Sequence, residues 1–203
     1  MTSDSGAISE NNDTPRNAHQ PDIGTKSIIL IGLMGAGKSS VGRRLAAALG
    51  LPFKDADTEI EAASNLSIPE FFELHGEAAF RDGERKVISR LLKDKQHVLA
   101  TGGGAYMDPE TRKVIAENGC SVWLKADLDT LLKRCLKRNT RPLLQQGDPR
   151  QILNELMAKR YPVYAEADVS VESGEGPHEI VVSKIVSALI EHQNNSQATQ
   201  VGE

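Results

Sequence analysis

Eight residues, Gly32-Leu33-Met34-Gly35-Ala36-Gly37-Lys38-Ser39, fit the pattern G-x-x-x-x-G-K-[ST]. They restrict the fold more than any other stretch of the chain. A loop of this kind joins the end of a buried strand to the start of a helix. It curls its backbone N–H groups around an anion and adds the positive end of the helix dipole. The flanks meet that demand. Ser27-Ile28-Ile29-Leu30-Ile31 is a short apolar, β-branched run suited to the inside of a parallel sheet. Beyond the loop, Val41, Leu45 and Leu49 recur at helical spacing, and Gly50 supplies a stop. Lys38 brings a point charge for the β and γ phosphates of a nucleotide, and the Ser39 hydroxyl is a hard oxygen suited to Mg²⁺. The loop's glycines allow the tight backbone curl that cradles phosphate.

The same alternation continues along the chain. Strands are expected at 27–32, 52–56, 97–101, 120–125 and 168–172. Helices are expected at 38–49, 57–64, 68–75, 77–93, 109–118, 127–137, 149–160 and 177–192. Asp108-Pro109 and Asp148-Pro149 each pair an N-cap acceptor with proline at the first helical position. Gly119 falls where a helix C′ glycine belongs. Five strands interleaved with helices imply an α/β fold, a five-stranded parallel sheet covered by helices on both faces. Residues 1–25 are rich in Ser, Asn, Asp, Gly and Pro and nearly empty of large apolar side chains, so they read as a disordered extension. Residues 193–203 read as a disordered tail in the same way. A single domain is then expected over 26–192, and 203 residues at 39 % hydrophobic content suffice for its core.

The bulk charge excludes several classes. A net charge of −4 offers no basic excess for nucleic acid. No run of about 18 apolar residues is present to span a membrane. The start of the chain lacks a basic-then-apolar leader and carries Asp4, Glu10, Asp13 and Asp22 against Arg16, so a cytoplasmic location is expected. Cys120 and Cys135 read as small packed residues without a disulfide. The five histidines show no metal-ligand spacing.

In an open α/β sheet, ligands sit beyond the carboxyl ends of the strands, and the notable residues here follow strand ends. Asp55 and Asp57 end the second strand. One carboxylate suits a metal-bound water near Ser39 and the other a substrate hydroxyl; Asp57 also reads as the N-cap of the next helix. Gly102-Gly103-Gly104 follow the third strand and let backbone approach a ligand closely. Arg81 sits three residues before Glu84 on one helical face, and Arg160 lies near the end of another helix. Each reads alone as a surface ion pair or a dipole partner. Together in one crevice they would clamp a carboxylate or phosphate. Residues 138–150 form a long polar connection suited to a lid, from which Arg141 would meet charge on a transferring phosphoryl group. Arg134, shortly before, is placed to lie over an adenine ring.

Taken together, Gly32–Ser39, Asp55-x-Asp57 with Glu59-Ile60-Glu61, Phe80-Arg81-x-x-Glu84, Thr101-Gly102-Gly103-Gly104, Arg141-Pro142-Leu143-Leu144 and Arg160-x-Pro162-x-Tyr164 resemble the shikimate kinases in order and spacing. The resemblance covers nearly the whole expected domain. It implies the P-loop NTPase fold of the nucleoside-monophosphate-kinase type, with substrate-binding helices at about 57–93 and a lid at about 138–150. It implies ATP-dependent phosphorylation of the 3-hydroxyl of shikimate, giving shikimate 3-phosphate and ADP, in aromatic amino-acid (chorismate) biosynthesis. Lys38, Asp57 and Arg141 would be catalytic. Gly35, Ala36, Gly37, Lys38, Ser39, Ser40, Arg134 and Arg141 would hold ATP, and Ser39 and Asp55 would hold Mg²⁺. Asp57, Arg81, Gly102, Gly103, Gly104 and Arg160 would hold shikimate, with Glu84 orienting Arg81. The expected partners are these small molecules alone, bound to a monomer. Ser40 departs slightly from the family, where threonine is common. The nearest alternatives are another small-molecule P-loop kinase, acting on gluconate or a nucleoside monophosphate, and a relative that binds ligand without turnover.

Overall fold

The computed structural model describes residues 24–137 and 147–201. In chain order the elements are β1 (Ser27–Ile31), α1 (Lys38–Leu49), β2 (Phe53–Asp55), α2 (Ala56–Ser64), α3 (Ile68–Leu91), β3 (Val98–Ala100), α4 (Pro109–Asn118), β4 (Gly119–Lys125), α5 (Leu128–Leu136), α6 (Pro149–Tyr164), β5 (Val169–Glu172) and α7 (His178–Val201). A single 3₁₀ turn, Ala105–Met107, precedes α4. The strands form one parallel sheet in the order β2-β3-β1-β4-β5. All five residues of β1 are buried, as expected for the central strand. Ile29 pairs with Leu99 of β3 on one side and with Ser121 of β4 on the other.

The connection from β1 to β2 runs toward one edge of the sheet, whereas those from β3 to β4 and from β4 to β5 run toward the other. Right-handed crossovers therefore place α1 on the face opposite to α4 and α6. Accordingly α1 packs on α7, and α3 packs on α4. The core between the layers is aliphatic, with Ile28, Leu30, Leu45, Ile88, Leu99, Leu124 and Ile185 essentially inaccessible.

Several boundaries follow local chemistry that is visible in the sequence. Asp108 accepts from the Thr111 N–H and Asp148 from the Arg150 N–H, each with proline next in line. Ser67 and Glu70 cap each other reciprocally at the start of α3. Gly76, at φ 75°, breaks α3 between the two helices expected there.

Other boundaries need correction. Asp55, not Asp57, caps α2; its side chain accepts the Asp57 N–H, which leaves the Asp57 carboxylate for other work. Gly119 is extended (φ −146°) and opens β4, so it is no left-handed cap. Helix α6 continues through Pro162 to Tyr164, because Tyr164 and Leu153 are buried on the sheet side. Helix α7 runs to Val201, so residues 193–201 are helical and not the disordered tail expected there. Their Gln, Asn, Ser, Ala and Thr side chains contain no Gly or Pro to stop a helix already propagating from 178. At the other end, Gly24 and Lys26 are held by Gln96, whose Nε2 donates to both carbonyls at 3.0 Å. Residues 1–23 of the expected extension lie outside the described residues, as do residues 138–146 of the expected lid, which include Arg141.

Candidate active site

The end of β1 leads into the glycine loop, and the end of its neighbour β3 leads into Gly102-Gly103-Gly104. Parallel pairing thus brings the two loops side by side at the carboxyl edge. The Lys38 ammonium donates to the carbonyls of Gly32 at 2.7 Å and Leu33 at 3.1 Å, so it lies inside its own loop. The Ser39 hydroxyl donates to Asp55 Oδ2 at 2.7 Å, bringing the end of β2 against the start of α1.

A cleft of about 290 Å³ opens here. Gly35, Gly37, Lys38, Ser39 and Ser40 form one wall; Asp55, Asp57, Thr101, Gly102 and Gly103 form another. Arg134, Lys137 and His178 close the far end. Two hard oxygens in contact on the wall, the Ser39 hydroxyl and the Asp55 carboxylate, are donors of the kind a magnesium ion takes. Among the described residues no group of three or more His, Cys, Asp or Glu is arranged to hold a metal by itself. Asp57 is pushed up from the usual carboxylate pKa, chiefly by burial and then by the neighbouring Asp55 charge, with Lys38 and Arg81 opposing.

The three glycines are the hub. A methyl group at Gly102 would lie 2.6 Å from Glu84 Oε1 and 3.2 Å from Asp57 Oδ1. One at Gly103 would lie 3.2 Å from Arg160 Nη1, and one at Gly104 would lie 2.7 Å from Arg81 Cζ. Both guanidinium groups therefore come to consecutive residues of one loop. Arg160 donates to the Gly103 carbonyl at 2.8 Å, and the Tyr164 hydroxyl donates to the same oxygen. Arg81 donates to Glu84 Oε2 at 2.7 Å. Glu84 is 2 % exposed, and its Oε1 has no hydrogen-bond partner among the described residues. Burial raises its pKa, against the pull of Arg81.

Apart from Arg141, which lies outside the described residues, the expected residues are brought together, with two qualifications of position. Ala36 is fully buried and does not line the cleft. Arg81, Gly104 and Arg160 are not on the wall of the 290 Å³ cleft: Arg160 meets it at Gly103, and Arg81 lies against Gly104, the next residue. Arg134 donates to the carbonyls of Gly35, Ala36, Ser173 and Gly174. Its N–H edges are therefore engaged with backbone. Lys137, Ser173 and His178 are not singled out by the sequence, and Tyr164 stands there in a motif without a role. Lys137 has a signal, three residues after Arg134 at the C-cap of α5. Ser173 and His178 have none, because only the sheet brings the β5–α7 connection to the glycine loop.

A parallel sheet, a glycine loop ending in lysine and serine, and an acid-and-arginine cluster beside it define a P-loop phosphotransferase. A model of the shikimate kinase family matches residues 34–190, and the chain belongs to that family. Being a kinase, it is an enzyme that uses ATP. A shikimate kinase of Paramagnetospirillum magneticum is 60 % identical over 165 residues, covering 81 % of this chain and 85 % of the relative. One of Caulobacter vibrioides is 58 % identical over 164 residues, covering 81 % and 82 %. The solved shikimate kinase from Acinetobacter baumannii, in complex with shikimate, superposes with a TM-score of 0.79 at 39 % identity, covering 82 % of this chain and 94 % of that one. A gluconokinase from Sinorhizobium meliloti, at 19 % identity and TM-score 0.58, shares the fold. No helix among the described residues is long and apolar enough to cross a membrane.

Proposed function

We propose that the cleft holds ATP while the Gly102–Gly104 face holds shikimate, so that the γ-phosphoryl group passes in line to the 3-hydroxyl, giving shikimate 3-phosphate and ADP. The observation that carries this is the shared hub: Gly103 lines the nucleotide cleft and accepts from Arg160, while Gly104 lies against Arg81. The two guanidinium groups take the substrate carboxylate, a planar anion that suits their forked donors. Asp57 stands between the two sites and orients the reacting hydroxyl or takes its proton. Burial and the neighbouring Asp55 charge raise its pKa, which suits a carboxylate that accepts a proton. Glu84 holds Arg81 in position.

Lys38 and the loop N–H groups hold the β and γ phosphates, and Arg134 borders the adenine. Arg141, carried by the resemblance, would reach the transferring group from the lid. Ser39 and Asp55 would hold Mg²⁺, which supplies charge neutralisation at the phosphate oxygens. Positioning of both reactants accounts for much of the rate, roughly 7–11 kcal/mol in favourable systems. We read the enzyme as a monomer of the cytoplasm, a compartment that suits two cysteines, Cys120 and Cys135, that are not joined in a disulfide.

The test is Asp57→Asn. It keeps the shape of the site and loses the charge. Turnover is expected to fall by about 10²–10⁴, with ADP affinity unchanged. Turnover near the parent's would remove Asp57 from the reaction.

A further inference from the structure

At the end of β5, Ser173 is 1 % exposed, yet its hydroxyl donates to the carbonyl of Ala36 in the glycine loop at 2.8 Å. Its own N–H is tied to the Lys125 carbonyl at the end of β4, at 2.6 Å. The sheet therefore fixes the hydroxyl in place. Arg134 Nη1 donates to the same Ala36 carbonyl at 3.4 Å, to Gly35 O at 3.3 Å and to Ser173 Oγ at 3.2 Å. Its Nη2 donates to Gly174 O at 2.6 Å. One loop carbonyl is thus gripped from two elements that are remote in sequence.

The consequence follows from the geometry of the amide. In a trans peptide the C=O and N–H point in opposite directions, and none of the peptide bonds is cis. The N–H partner of the Ala36 carbonyl belongs to Gly37. Drawing the carbonyl toward Ser173 and Arg134 turns the Gly37 N–H the other way, and Gly37 is on the cleft wall. The Gly37 backbone is at φ 97°, in the left-handed region that favours glycine. The neighbouring Ala36 N–H is spent on the Leu33 carbonyl at 3.1 Å. The Gly37 N–H is thus one of the loop donors that remain for an anion.

We propose that Ser173 is a positioning residue for ATP: with Arg134 it holds the Ala36–Gly37 peptide so that the Gly37 N–H faces a phosphate oxygen before nucleotide arrives. This deepens the reading of the cleft as the ATP site and rests on it. A peptide set in advance spares the loop reorganisation on binding, the general advantage of preorganised donors. The Gly37 N–H meets phosphate in the bound and transition states alike, so KM moves more than kcat.

Steady-state kinetics of the full chain test this, with ATP varied at saturating shikimate and then the reverse, together with ADP titration calorimetry in the absence of shikimate. Ser173→Ala is expected to raise the ATP KM and weaken ADP by about five- to tenfold while leaving the shikimate KM at the parent's value. Ser173→Cys, close in volume and a far weaker donor, shifts ATP in the same direction in a chain that keeps its packing. Combined with Arg134→Lys, the Ser173→Ala loss is less than multiplicative, because both side chains hold one peptide. Parental ATP KM and ADP affinity in both Ser173 variants overturn the proposal, whatever their melting temperatures; so does strict multiplicativity. The ADP titration reads the loop alone, so a parent chain that left shikimate unphosphorylated would contradict the acceptor reading and leave this proposal to that titration.

Discussion

Gly104 has no side chain because the Arg81 guanidinium occupies the space one would take. A methyl group there would come within 2.7 Å of Cζ and 2.6 Å of Nη1. Arg81 cannot swing aside freely, since Glu84 holds it at 2.7 Å. Gly104→Ala is therefore expected to raise the shikimate KM by about tenfold or more, as a 1 Å misplacement of a positioning group does, with ADP affinity unchanged. An unaltered shikimate KM would detach Arg81 from the acid site. At this scale much was legible. Lys38, Ser39, Asp55, Asp57 and the triple glycine stand out by their motifs and strand ends, whereas Arg81 and Arg160, each ordinary alone, are marked only by the other motifs around them. Tyr164 stands in the motif Arg160-x-Pro162-x-Tyr164, yet no role attaches to it until its hydroxyl is seen on Gly103. Ser173 was illegible, since a serine near a strand end looks like any turn residue until the sheet places it.

Strand β4 shows how an element boundary is misread. Gly119 follows a helix and looks like its cap, but the reason for glycine is its neighbour on β1. A Cβ at Gly119 would fall 2.0 Å from Ile29 Cδ1 and 3.1 Å from the Ser27 carbonyl. Gly119→Ala forces β4 away from β1 at the centre of the sheet and is expected to cost roughly 1–3 kcal/mol, the usual range for overpacking. Chemical denaturation checks it; a loss under about 0.5 kcal/mol, the range of neutral surface changes, would contradict the contact. The helices with local punctuation, Asp-Pro starts and the Gly76 break, were readable from their own residues. The ends of α6 and α7 were not. Pro162 reads as a terminator, yet the helix passes through it to bury Tyr164. A polar stretch with no breaker reads as tail until the helix before it is seen to continue.

Across the molecule, the order β2-β3-β1-β4-β5 sets three loops on one edge, and the function depends on that assembly. The opposite end of the sheet carries a different titrating group. His97 is buried, its Nδ1 is held by Ser27 Oγ at 3.2 Å and Lys95 O at 2.9 Å, and its Nε2 has no partner among the described residues. Burial lowers its pKa; the Lys54 charge adds to this, while the hydrogen bond to Lys95 and the charges of Asp94 and Glu59 oppose it. The folded chain thus binds the His97 proton less readily than the unfolded chain, whose histidine titrates near 6.5. This contribution to stability is complete above about pH 6.5 and is lost as pH falls below it toward the lowered folded value. The melting temperature is expected to fall between about pH 7 and pH 5.5, with a shallower fall in His97→Gln. Equal slopes in the two proteins would place the acid sensitivity elsewhere.

The central claim is that a triphosphate cradle and a guanidinium-flanked acid site share one glycine hub and work on each other's ligands. The most direct measurement is ADP formation from ATP with shikimate present, with shikimate absent, and with gluconate in its place. The account predicts sustained ADP release only with shikimate, matched mole for mole by shikimate 3-phosphate. ADP release at the same rate without shikimate, or with gluconate as the better acceptor, would contradict it.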